Sequence, residues 1–160
     1  MDFTQLQKEH KEWSDRNFPD QKAHHCLLGM IEELGELAHA QLKMEQGIRV
    51  EEDHVAERKD SIADLALYLI GFCNFHGVSL GIATLPEFPW DVQSILLSMP
   101  RQVHKVCISN DDNRRVHAIN LLNDLSILSF NIDVNFEQNL LDTWGQVKQR
   151  DWTKNKATGV

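Results

Sequence analysis

The sequence predicts an all-α fold, and three observations support that class. Pro and Gly are scarce, with 4 and 8 copies in 160 residues, while the helix formers Leu, Ala and Glu are plentiful. Apolar residues recur at intervals of three and four over long stretches, which is the helical period. Glycines at positions 47 and 77 close two of these stretches, as they commonly close helices. The length fits one domain, residues 1–160.

Three helices are predicted in the first half of the chain. The first runs over about residues 3–14 and ends before an Asn-Phe-Pro-Asp turn. The second covers residues 21–46, and the third covers about residues 55–75 after a short charged turn. A short connection between two amphipathic helices predicts an antiparallel hairpin, here spanning residues 21–80.

The second half is predicted to contain another hairpin. Residues 80–90 carry Gly81, Pro86 and Pro89 and are interpreted as a linker. The second hairpin is predicted over residues 91–134, with Pro100 causing a late start or a kink in its first helix. A C-terminal helix and tail follow over 135–160.

The two hairpins share a sequence echo. The segment LLGM at 27–30 returns as LLSM at 96–99. The second helix of one hairpin can also be aligned with the second helix of the other. This alignment sets acidic residues against neutral or basic ones: Glu33 against Gln102, Glu36 against Lys105, and Asp64 against Asn120. The hypothesis is a four-helix bundle of two tandem hairpins, the second degenerate, with a single site. The alternative is a chance alignment of two amphipathic helices.

Charge and composition narrow the function classes. Acidic residues outnumber basic ones by 24 to 16, giving a net charge of −8, which disfavours a nucleic acid polymer as partner. A polyphosphate remains compatible if divalent cations bridge it to the protein. Three widely spaced cysteines without a Cys-x-x-Cys motif, and the lack of a long apolar run, predict a soluble cytoplasmic protein with no membrane partner.

Two pairs of carboxylates carry the chemical prediction. Glu33 and Glu36 share one face of the second helix, and Asp60 and Asp64 share one face of the third. Apolar residues flank both pairs, so the carboxylates are predicted near the bundle interior, where they need cations. Oxygen ligands from several helices favour Mg²⁺ or Mn²⁺. The alternative is an ordinary solvated face.

These residues resemble a known family. The segments LLGMIEELGELAHAQLKMEQGIR and RKDSIADLALYLIGFCNFHGV are similar to the MazG-like nucleoside triphosphate pyrophosphohydrolases, and the tail TWGQVKQRDWTKNKATG is similar to the end of small phage and bacterial members. The resemblance implies a MazG-like four-helix core that cleaves (deoxy)nucleoside triphosphates to monophosphate and pyrophosphate. Ser61 departs from the pattern, which has Glu there, and Asp60 is the neighbouring candidate to replace it.

The resemblance also implies two or three Mg²⁺ or Mn²⁺ ions per site. Their predicted ligands are Glu33, Glu36, Asp60 and Asp64, and Glu32 completes the set of candidate catalytic carboxylates. A carboxylate left over from the ions is the candidate general base.

Candidate substrate-binding residues fall into two groups. For the phosphates we expect cationic or polar groups and, by resemblance, a tyrosine: Lys43, Arg49, Tyr68, Lys148, Arg150 and Asn155. For the base we expect an aromatic partner and polar readers: Trp13, Asn17 and His25. The alternatives are solvated surface charges and, for the tryptophan, a core position. A purine deoxynucleoside triphosphate is the expected substrate.

Other functions stay open at this point. Dimeric all-α dUTPases and phosphoribosyl-ATP pyrophosphohydrolases share the carboxylate arrangement, so either activity is an alternative, and a homodimer is left open. A ferritin-like di-iron site needs two Glu-x-x-His motifs, whereas the chain has the one formed by Glu36 and His39. A non-catalytic helical adaptor is the remaining alternative.

Overall fold

The computed structural model describes residues 1–87 and 90–159. Phe88 and Pro89 of the interpreted linker, and the terminal Val160, lie outside the described residues. Within the described part the chain forms six helices and no β-strand, so the all-α prediction is confirmed. The helices are α1 (Thr4–Asn17), α2 (Ala23–Gln46), α3 (His54–Phe75), α4 (Val92–Ile108), α5 (Asp111–Asn131) and α6 (Phe136–Val147).

Side chains at the helix starts explain where several helices begin. The residue before each of α3, α4, α5 and α6 accepts a hydrogen bond from a backbone N–H of the first turn, which satisfies a group that the helix leaves unpaired. These capping residues are Asp53, Asp91, Asn110 and Asn135. At the other end of α2, Gly47 takes a left-handed conformation with φ of 62°, which favours glycine.

Helix α3 lies at the centre of the molecule. It contacts α1, α2, α5 and α6, and between Ser61 and Cys73 only Asp64 and Tyr68 escape full burial. Helix α2 packs mainly on α3, and α4 packs mainly on α5, while α2 also contacts α4. The chain therefore contains two helical hairpins within the ranges predicted for them. Their descent from one repeated unit stays a prediction.

The segment after α3 is tied to the N-terminus. The backbone N–H of Phe3 donates to the carbonyl of Gly81 over 2.9 Å, and that of Ala83 donates to the carbonyl of Met1 over 3.0 Å. Farther along, α4 begins eight residues before Pro100, so of the two predicted alternatives the late start is wrong. The proline lies inside the helix, and the kink stays a prediction. No helix among the described residues is long and apolar enough to cross a membrane.

Candidate active site

The five predicted carboxylates lie along the facing helices α2 and α3, and we call them the acidic cluster: Glu32, Glu33, Glu36, Asp60 and Asp64. Glu33 and Asp64 are half-buried, whereas the other three are exposed. Ser61, where the resemblance has Glu, is 2 % exposed and carries no carboxylate. The negative charge of the exposed Asp60 raises the pKa of both Glu33 and Asp64, so Asp60 lies near them.

Burial and mutual repulsion make protons hard to remove from the two half-buried members. Loss of hydration, followed by the charges of Asp64 and Glu36, raises the pKa of Glu33 from 4.5 to about 8. Loss of hydration and the charge of Asp60 raise the pKa of Asp64 from 3.8 to about 6, while the cationic Arg150 opposes that rise. A bound divalent cation would offset both the mutual repulsion of these carboxylates and their loss of hydration.

The distances between possible metal-ligating atoms differ between two parts of the structure. Among the described residues one trio of metal-ligating groups has its ligand atoms within 4.8 Å of one another, namely Glu52, His54 and Glu57 at the start of α3. No three members of the acidic cluster hold their ligand atoms this close together in the described part of the chain. In the compact trio both His54 nitrogens are already engaged, one by Glu57 at 3.0 Å and one by the Ile48 carbonyl at 3.3 Å.

A cavity of about 150 Å³ adjoins the acidic cluster, and we call it the aromatic cavity. Its walls are mostly aromatic and aliphatic side chains: Trp13, Phe18, Leu67, Tyr68, Val147 and Trp152. Its polar lining comprises His10, Ser14, Gln21, Asp64 and Arg150. Asp64 thus belongs both to the acidic cluster and to the wall of the aromatic cavity, so the two features adjoin at this residue.

Tyr68 is held against α2 by a close helix contact. A Cβ atom at Gly29 would lie 2.4 Å from the Tyr68 ring, so only glycine leaves room for the ring at this point. Tyr68 follows Asp64 by one helical turn, which places the two side chains on the same face of α3. Burial and then the charge of Glu33 raise the pKa of its phenol, so the group stays a neutral hydrogen-bond donor.

The C-terminal tail closes one side of the aromatic cavity. The indole N–H of Trp13 donates to the Arg150 carbonyl over 3.0 Å, and the Asn17 amide oxygen accepts from the Trp152 N–H over 2.7 Å. The ring centroids of Phe18 and Trp152 are 6.4 Å apart. These contacts bring three predicted substrate-binding residues together, with Trp13 and Arg150 in the wall and the buried Asn17 anchoring the tail.

The structure distributes the other predicted substrate-binding residues over the surface. His25, in the first turn of α2, lines a surface depression together with Tyr68, and its Nδ1 accepts a hydrogen bond from the Lys22 N–H over 3.2 Å. Lys148 pairs with Glu9 at 3.5 Å. Arg49 pairs with Glu52 at 3.3 Å. Two further residues have no place in the cavity wall: Lys43 in the last turn of α2, and Asn155, whose side chain organises the turn that ends the tail.

His10 lines the cavity although the sequence did not single it out. Its side chain is 8 % exposed, and no described residue hydrogen-bonds to its Nδ1 atom. Its ring centroid lies 5.5 Å from that of Trp144 and 6.1 Å from that of Trp13. The available signal was its place one turn before Trp13 on α1, which puts both rings on one helical face.

Compared with known protein families, with curated proteins and with solved structures, the chain has no match.

Proposed function

We propose that the chain is a metal-dependent nucleoside triphosphate pyrophosphohydrolase of the MazG-like kind. One observation carries this proposal: Asp64 is shared between a group of mutually repelling carboxylates and an aromatic cavity that also contains Arg150. A nucleoside triphosphate needs these features together, because its base is flat and apolar while its phosphates are bound through cations. Neither a solvated acidic face nor a helical adaptor requires an aromatic cavity beside the acids.

The donor set fits Mg²⁺ or Mn²⁺. Glu33, Glu36 and Asp64, with Asp60 beside them, offer only carboxylate oxygens, which hard divalent cations prefer. Two or three ions per site is the number that the resemblance to the MazG-like family implies. When bound, such ions supply charge neutralisation on the phosphates and make a water nucleophilic near neutral pH.

The chain's own residues then bind and orient the substrate. Arg150 is placed to pair with a phosphate oxygen, since its charge already reaches Asp64 in the cavity wall. Tyr68 stays protonated and can donate a hydrogen bond to the same group. Glu32, exposed on α2 next to Glu33, is the candidate to accept a proton from the attacking water. Water adds to one of the two phosphorus atoms of the α–β anhydride, the bridging oxygen leaves with the other phosphate group, and the products are the monophosphate and pyrophosphate.

Product analysis with a matched pair of variants tests this function. The protein is incubated with a panel of NTPs and dNTPs and Mg²⁺ or Mn²⁺, and pyrophosphate is distinguished from orthophosphate. Asp64→Asn should reduce turnover by about a hundredfold or more, the scale expected when a charge-stabilising group is lost. The control is Asp124→Asn, because burial raises the pKa of Asp124 to about 6 as well, but on α5.

Three results would contradict the proposal. The first is that none of the triphosphates is cleaved with either metal. The second is that orthophosphate, and not pyrophosphate, is released. The third is that Asp64→Asn and Asp124→Asn lose activity equally, which would indicate a general effect of a buried amide.

A further inference from the structure

The turn between α2 and α3 brings together three groups that can bind a metal ion. Possible ligand atoms of Glu52, His54 and Glu57 lie within 4.8 Å of one another, and the Nδ1 atom of His54 is 3.0 Å from a carboxylate oxygen of Glu57. Atoms that share one Zn²⁺ at bond lengths of about 2.0–2.1 Å are about 3.4 Å apart in a tetrahedral shell. The trio therefore needs only small side-chain rotations to close around one ion.

The surroundings of His54 distinguish this trio from an ordinary group of surface carboxylates. The His54 side chain is 9 % exposed, and its Nε2 atom lies 3.3 Å from the carbonyl oxygen of Ile48. Its other neighbour is the Glu57 carboxylate, and both neighbours only accept hydrogen bonds. A neutral imidazole has one N–H and can satisfy only one of them. The second ring nitrogen therefore needs a positive group beside it, which is either a proton or a metal ion.

The Ile48 carbonyl determines which nitrogen of His54 is available to an ion. When Nε2–H donates to this carbonyl, Nδ1 is unprotonated and faces Glu57. Metal-binding histidines usually donate their other ring N–H to a backbone carbonyl or a carboxylate, which fixes the tautomer and the ring orientation. The contact with Ile48 is of this kind. It forms in a turn where Gly47 and Arg49 both have left-handed backbones, with φ of 62° and 54°.

Two arginines near the trio do not neutralise it. Arg49 pairs with Glu52 at 3.3 Å, but both side chains are at least one-third exposed, so the pair is weak and a metal ion can displace it. Arg58 is buried and is bonded elsewhere, to Gln41 of α2 over 2.8 Å and to a backbone carbonyl in the first turn of α3 over 3.2 Å. Residues 51–57, EEDHVAE, contain four acidic residues, so negative charge is in excess around the trio.

We propose that Glu52, His54 and Glu57 form a Zn²⁺ site that stabilises the turn between α2 and α3. His54 binds through Nδ1, the glutamates bind through carboxylate oxygens, and water fills the remaining position. The imidazole nitrogen favours Zn²⁺ over Mg²⁺, which prefers oxygen ligands. Glu57 also lines a surface depression, which gives an ion a route from solvent. The site is separate from the acidic cluster and does not depend on the proposed function.

A proton is the competing occupant at Nδ1 of His54. The hydrogen bond with Glu57 raises the pKa of His54, as expected for a ring between two acceptors. The two occupants differ in a measurable way, because a protonated ring has N–H groups on both nitrogens, whereas a zinc-bound ring keeps only Nε2–H. Zinc binding must release the proton from Nδ1, so the affinity for Zn²⁺ should rise with pH.

A zinc titration followed at the histidine rings tests the proposal. Chelator-treated protein is titrated with Zn²⁺ in an excess of Mg²⁺, which occupies positions that offer oxygen ligands alone. Two-dimensional ¹H–¹⁵N NMR of the imidazole groups follows the eight histidines of the chain. We expect one Zn²⁺ ion per chain to shift the Nδ1 signal of His54 and to leave Nε2–H in place. The melting temperature should rise with Zn²⁺ concentration.

Three single variants locate the ion. Glu57→Gln and Glu52→Gln each remove the charge of one ligand and should weaken Zn²⁺ binding by about tenfold or more. Glu51→Gln is the matched control, because Glu51 is an exposed glutamate of the same turn that lies outside the trio, and it should leave the affinity unchanged. Circular dichroism confirms that each variant is folded.

Three results would overturn the zinc site. The first is that Zn²⁺ does not bind in the presence of Mg²⁺. The second is that Zn²⁺ binds but leaves the His54 signals unshifted, which would place the ion elsewhere. The third is that Glu57→Gln and Glu51→Gln weaken binding equally, which would show that only net charge matters. Zinc binding that depends on His54 and Glu57 would support the site even in a protein that cleaves no triphosphate, so the two proposals fail independently.

Discussion

Glu33 makes the stability of the metal-free protein depend on pH. Its pKa is about 8 in the folded state against 4.5 for an ordinary glutamate. Between these values the unfolded chain has released the proton that the folded protein retains, so the free energy of unfolding falls as pH rises. Below 4.5 both states are protonated and the effect vanishes. The slope is at most about 1.4 kcal/mol per pH unit for one proton.

Glu33→Gln should therefore stabilise the metal-free protein increasingly from pH 4.5 to about 8, because glutamine mimics the protonated acid at every pH. Melting temperatures measured with a chelator across this range check it. Glu12→Gln, an exposed carboxyl of α1, is the control for the loss of one negative charge. A constant difference between Glu33→Gln and the parent at all pH values would contradict the repulsion described for Glu33.

Arg150 and Lys148 are both cationic tail residues, but their surroundings differ. Arg150 lines the aromatic cavity, whereas Lys148 forms an exposed pair with Glu9. Arg150→Gln should raise KM for a triphosphate by about tenfold or more, since a charged hydrogen bond to phosphate is lost. Lys148→Gln should have a much smaller effect. Steady-state kinetics on both variants decide this, and equal effects would refute the distinction.

The sequence located the half-buried carboxylates but not every binding residue. Glu33 and Asp64 could be predicted because helical spacing shows which helix face each lies on, and because apolar neighbours show that this face turns towards the bundle interior. The partner of a long charged side chain depends on the tertiary contacts around it, which is why Arg49 and Lys43 were candidates without lying at the cavity. His10 was missed because an unsatisfied buried nitrogen can be recognised only after the chain is folded.

At the scale of elements, the tail is separable from the helix before it. Helix α6 ends at Val147, and Trp144 within it is 3 % exposed and donates its indole N–H to Glu9 over 3.0 Å. Deletion of residues 150–160 removes Arg150 and Trp152 but leaves α6 intact. Far-ultraviolet circular dichroism should show retained helicity, while triphosphate affinity should fall by about tenfold to a hundredfold.

Trp144→Ala provides the contrast for that deletion. It removes a buried indole from the core and should lower the free energy of unfolding by about 3–5 kcal/mol. Denaturant titration of both proteins separates the two roles. If the shortened chain unfolds as readily as Trp144→Ala, the tail is part of the core and does not serve the cavity.

The elements themselves were largely predictable. The spacing of apolar residues and the glycine at position 47 predicted the ends of α2 and α3 to within about two residues. Helix α1 extends to Asn17, three residues beyond its predicted end. The extension could not be foreseen, because Asn17 is buried by a tail that is more than a hundred residues away in the sequence.

At the scale of the whole molecule, we predict one active site per chain. In the second hairpin, the register hypothesis places Gln102, Lys105 and Asn120 where the first hairpin has acids. Lys105 would repel a cation, and the Gln102 side-chain oxygen is buried without a partner among the described residues. A bundle needs apolar contact from both hairpins but metal chemistry from only one.

The location of bound manganese is the strongest test of the proposed metal site. Crystals are grown with Mn²⁺ and a nucleoside triphosphate analogue whose α–β bridge resists cleavage, and anomalous scattering locates the ions. We expect two or three Mn²⁺ ions bound by Glu33, Glu36 and Asp64, with the phosphates between them and Arg150. Manganese bound only by Glu52, His54 and Glu57, or bound in the second hairpin between residues 102 and 120, would contradict it.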